Sequence, residues 1–127
     1  MCSDEMMFYA KAKYELIPSE SGKTYLVKEQ FTVYSTRYKK YITVEYNFEH
    51  DRYSVVPDLP DETPAIVHDK LYKTHRFDDG SICRKYMADR ILKDLMKESG
   101  GKTARYAWLY YNGVCIFGIF SWGLCDL

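Results

Sequence analysis

PAIVHDKLYKTHRFDDGSICRKYMADRILKDLMKE, residues 64–98, is the stretch whose reading decides the fold. It divides at DDG (78–80) into two segments whose apolar residues recur at helical spacing. In the first, Pro64 suits the first helical position, with Thr63 or Asp61 as N-cap. The second runs from about Ser81 to Glu98 and is stopped by Gly100-Gly101. Along it, Ile82, Tyr86, Asp89, Leu92 and Met96 fall on one stripe that is apolar except for Asp89. A carboxylate on a buried face is costly unless a donor or cation meets it, so Asp89 requires a partner. The first helix carries one. His68, Leu71, Tyr72 and His75 share a face, and Asp69 points to the adjoining face. A short turn makes the two helices antiparallel, with His68 opposite Asp89.

Outward toward the N-terminus, the pattern changes from helical to alternating. MFYAKAKYELI, TYLVKEQFTVYS and YITVEYNF are rich in Tyr, Phe, Val, Ile and Thr, and PSESGK and TRYKK separate them as turns. This is the signature of an antiparallel β-meander of about three strands over residues 7–48. A Pro-rich acidic loop, 49–63, follows it. The cluster Arg37, Lys39 and Lys40 reads as a solvated hairpin tip. Outward toward the C-terminus, Thr103 can cap a third helix through TARYAWLYY, interrupted at Asn112-Gly113. The expected architecture is therefore α+β, a meander followed by two to three helices, in a single domain over 1–127. Its helical part spans 64–125 and contains the hairpin carrying His68 and Asp89. DDGS (78–81) lacks the alternating ligands and closing Glu of a calcium loop, and reads as a turn with a helix cap.

Charge narrows the partner classes. Eighteen basic residues balance eighteen acidic ones, which disfavours a nucleic-acid backbone as the main partner. Thirteen tyrosines, most of them in the first half, suit strands and protein interfaces. The N-terminal MCSDEMMFYAK lacks the basic start and apolar run of an export signal, so the expected location is the cytoplasm. In that setting the four cysteines read as reduced thiols, with Cys115 and Cys125 buried in an apolar tail. Tyr106 to Cys125 holds no charged residue over 20 positions. That length approaches a membrane span, but Gly113, Gly118, Gly123 and Asn112 favour core or a protein interface instead.

VEYNFEHDRYSVVP, AIVHDKLY and MADRILKDLM together resemble a phage and prophage family known as domain of unknown function 1353. Val44, Phe48, Asp51, Ser54, Val55 and Pro57 match its loop. His68, Asp69, Leu71 and Tyr72 match its H-D-x-L-Y motif, and Ala88, Asp89 and Arg90 its A-D-R step. Asn47, His50 and Tyr53 depart from the loop pattern. More distantly, HDKLY followed by Asp89, 21 residues after His68, is similar to the helical hairpin of small bacterial phospholipase A2 enzymes. That resemblance implies His68 as the base that activates water, Asp89 as its orienter and Tyr72 as a supporting hydroxyl. It implies Asp51 and Asp69 as ligands of a calcium ion, which prefers carboxylate oxygens and can hold a developing oxyanion. The glycine-rich calcium loop and the cysteine after the His-Asp pair are absent, and Leu71 stands at the latter position.

Two readings stay open on the residues alone. In one, a calcium-assisted ester or lipid hydrolase uses His68, Asp89 and Tyr72, with the ion on Asp51 and Asp69. In the other, a virion or lysis-associated protein without catalysis uses the same residues as a polar clasp. Its Tyr-rich sheet and apolar C-terminus then bind other subunits or a second copy, with membrane contact the lesser alternative.

Overall fold

The structure, a computed structural model, describes residues 14–16, 25–50 and 62–127. Its α+β order agrees with the sequence pattern. Among the described residues, five short strands come first: β1 (Tyr14–Leu16), β2 (Tyr25–Val27), β3 (Phe31–Ser35), β4 (Lys40–Val44) and β5 (Glu49–His50). They form two antiparallel sheets. One is ordered β1-β2-β5, and the other is the β3-β4 hairpin. The hairpin shows why its residues are strands. Phe31, Val33 and Ser35 alternate inward, as do Ile42 and Val44 across from them. The outer side pairs Thr32 with Thr43 through their hydroxyls at 2.9 Å and Tyr34 with Tyr41 at a ring separation of 4.7 Å.

The hairpin tip lies at the surface as expected, with Arg37 and Lys39 exposed, and ion pairs tie it down as well. Arg37 grips Asp94 with two bonds of 2.8 and 3.0 Å, and Lys40 meets Asp79 at 2.6 Å. The DDGS segment is the expected turn, closed by bonds from Phe77 N to Ser81 O and from Gly80 N to Phe77 O. Asp78 there accepts from Thr43 N and Oγ1, so the turn also fastens the sheet to the helical layer.

The helices are α1 (Thr63–Thr74), α2 (Lys85–Ser99), α3 (Gly101–Arg105), α4 (Ala107–Phe117) and α5 (Ile119–Trp122). Glu62 is the N-cap residue of α1, with no side-chain cap bond, and Pro64 lies in its first turn. The second helix starts at Lys85, not near Ser81, because Ile82 bridges Arg76 as a short β-ladder across the turn. The buried stripe of α2 comprises Lys85, Ala88, Asp89, Ile91, Leu92, Leu95 and Met96, while Tyr86 is 49% exposed and Ile82 lies outside the helix. The third helix is one path broken at Tyr106 and Gly118; Asn112-Gly113 lies inside α4 and does not interrupt it. Val27, Val33, Ile42 and Val44 from the strands pack with Ile66, Val67, Leu71, Ile91 and Leu95 into the main core. Burial of this kind contributes about 25 cal/mol per Å² of apolar surface. A second cluster, Leu92, Met96, Ala107 and Tyr110, seats α4 on α2.

Candidate functional site

Helices α1 and α2 cross so that three polar side chains meet at Asp89, which is 1% exposed. His68 Nε2 lies 2.9 Å from Asp89 Oδ1. An ionised carboxylate only accepts, so the imidazole carries its proton on Nε2 and donates it. The Tyr72 hydroxyl, one helical turn further along α1, donates to the same oxygen at 2.6 Å. The i, i+4 spacing also brings the His68 and Tyr72 rings together, tilted by 41° with centroids 4.1 Å apart. The second carboxylate oxygen accepts from Lys85 Nζ at 2.8 Å, and the same ammonium donates to the Val114 carbonyl of α4 at 2.7 Å. Among the described residues, no hydrogen bond engages His68 Nδ1.

The electrostatics follow from this geometry. Burial pushes the Asp89 carboxyl upward, but the donors His68, Lys85 and Tyr72 outweigh it and hold it below the usual carboxylate range. Burial and the bond to Asp89 push the Tyr72 phenol up, which keeps its proton in place as a donor. The Cys83 thiol, fully buried, is pushed up to about 12 by burial and by the charge of Asp89. A thiol in that state is not a nucleophile.

A second cluster sits beside the first. Trp122 stacks on His75 at 3.8 Å and meets Tyr72 edge-on at 4.8 Å. Its indole N–H donates to the Cys125 carbonyl at 2.6 Å. His75 Nδ1 and Arg76 each lie 3.2 Å from Asp126 Oδ2, and the Lys85 amide donates to the Asp126 carbonyl at 3.3 Å. His75 therefore does not join the His68 face; it ends α1 in a left-handed conformation, φ 56°. Gly118 has a specific reason to be glycine. A Cβ there would press on the Tyr72 hydroxyl and the Val114 carbonyl and come 3.2 Å from Lys85 Cε.

His68, Tyr72 and Asp89 thus come together as their spacing suggested, whereas Asp69 lies 3.6 Å from Lys73 on its own helix. Asp51, like the rest of 51–61, lies outside the described residues. Among the described residues, no group of three His, Cys, Asp or Glu side chains could hold a metal ion. Lys85 and Trp122 were not singled out by the pattern. Lys85 could have been found as the cation four residues before a buried Asp on the same helix. Contrary to expectation, Cys115 and Cys125 are exposed. No helix among the described residues is long and apolar enough to cross a membrane. No protein-family model, no curated protein and no solved structure matches this chain.

Proposed function

We propose that this chain acts by binding, as a small non-enzymatic phage-type assembly protein in which His68, Tyr72, Lys85 and Asp89 form a clasp. The saturation of Asp89 carries this reading. Both of its oxygens are taken by three donors, and the buried Lys85 supplies its counter-charge from 2.8 Å. A general-base dyad uses its carboxylate to stabilise the imidazolium that forms when the base takes a proton. Here the Lys85 ammonium, 2.8 Å away, already engages that carboxylate. The clasp also ties α1 and α2 to α4 through Val114, which holds the apolar C-terminal helices in place for a partner. The resemblance of HDKLY and MADR to the phage and prophage family supports an assembly or lysis-associated setting.

The hydrolase reading keeps one observation in its favour: the His68 side chain is 13% exposed, with Nδ1 outside the clasp's bonds. Thermal melting with EDTA and with millimolar calcium separates the two, because a ligand that binds only the native state raises its melting point. Under the binding reading, calcium leaves the melting point of wild type and of Asp69→Asn unchanged, and ester and phospholipid substrates are not turned over. A calcium-dependent rise lost in Asp69→Asn, or turnover lost in a folded His68→Asn variant, would restore the hydrolase.

A further inference from the structure

The outer side of the C-terminal helices is the largest unexplained surface among the described residues. Trp108, Leu109, Ile116, Phe117, Phe120 and Leu124 are all exposed, Phe120 to 86%. At the 150–250 Å² that a large aromatic side chain can bury, these six present on the order of 800 Å² of apolar surface. A monomer's largest apolar patch is about 300–600 Å², and a stable interface buries about 800 Å² per partner. We propose that this face is covered by a second copy of the same chain, with α4 packing on its symmetry mate across Gly113. The proposal deepens the binding reading by naming the partner.

Three observations select a second copy. First, Leu109, Gly113, Ile116 and Phe120 recur at steps of four, three and four, the spacing of a seam between two packed helices. Second, glycine inside a helix is destabilising relative to alanine, so an interior glycine calls for a reason. Gly118 has one within the chain, but a Cβ on Gly113 would meet nothing within 4 Å. Close approach of another helix supplies the missing reason. Third, a two-fold interface sets each patch against itself, so any charge on it would face its own sign. The 20 residues from Tyr106 to Cys125 carry none.

Sedimentation of the full chain from micromolar to hundreds of micromolar concentration tests this. The wild type is expected to be a dimer dissociating on dilution. Ile116→Asp and Gly113→Leu are each expected to raise the dissociation constant by about thirtyfold or more, the scale of a central contact. Both are expected to keep the wild-type helical circular dichroism, since neither site meets a packed neighbour. A wild type that stays monomeric throughout would overturn the proposal. So would a dimer indifferent to both substitutions, which would place the interface elsewhere. Flotation of a monomeric wild type with phosphatidylcholine–phosphatidylglycerol vesicles would also overturn it and assign the face to lipid. Ester turnover by an intact dimer would sink the non-enzymatic reading and leave this one standing.

Discussion

At Asp89 the helices solve the problem of a buried charge with donors from three residues. Removing one partner of such a buried pair costs about 3–5 kcal/mol, because the other charge is left uncompensated. Lys85→Met is therefore expected to destabilise the protein by about 3 kcal/mol in urea unfolding. Adding Asp89→Asn should recover part of that loss, a coupling that a double-mutant cycle measures directly. The sign of the pH dependence follows from the depressed Asp89 pKa. Its ordinary value is 3.8, and the folded value lies lower. The carboxylate's stabilisation is full above the ordinary value and is lost as pH falls through the folded one. Asp89→Asn lacks that contribution. The stability gap between wild type and Asp89→Asn should thus be widest near neutrality and narrow in acid; a gap that widened in acid would contradict the assignment.

At the level of elements, the junction of α4 and α5 matters most. Tyr72, Trp122 and Gly118 interlock there, and the backbone turn after Gly123 folds back so that Asp126 meets His75 and Arg76. Gly118→Ala places a methyl group where the Tyr72 hydroxyl and a backbone carbonyl already lie. Overpacking of this kind costs about 1–3 kcal/mol. Because the displaced hydroxyl is a donor to Asp89, Gly118→Ala should also weaken the clasp, and its cost should be smaller in a Tyr72→Phe background. Melting of the two single variants and the double variant checks this; simple additivity would mean that the junction and the clasp are independent.

Across the whole molecule, a thin sheet layer is held on a helical layer by a core and by polar ties at its rim. Arg37 to Asp94 is a partly exposed ion pair, and such pairs contribute under about 1 kcal/mol and fade in salt. Asp78 accepts both the amide and the hydroxyl of Thr43, so Asp78→Ala leaves a strand amide without its partner. The expected loss is about 1 kcal/mol, insensitive to salt, whereas Arg37→Ala loses less and is levelled by added salt. Chemical denaturation at low and high ionic strength distinguishes the two ties.

The α+β order and the meeting of His68, Tyr72 and Asp89 were legible in the chain itself. Alternation and helical periodicity are local properties, and a lone carboxylate on an apolar stripe demands a donor wherever the stripe packs. Other features depended on contacts between distant segments. The start of α2 lies at Lys85 because residues 76 and 82 pair across the turn, and Lys85 is drawn inward by Asp89 one helical turn on. A lysine reads as surface until a carboxylate and a backbone carbonyl converge on its ammonium. The ion pairs of the exposed hairpin tip could not be read because Asp79 and Asp94 lie 39 and 57 residues away from the cations they meet. In α4 both faces are apolar, so periodicity could not tell the side that packs on α2 from the side left outward; only the packing of Ala107 and Tyr110 against Leu92 and Met96 decided it.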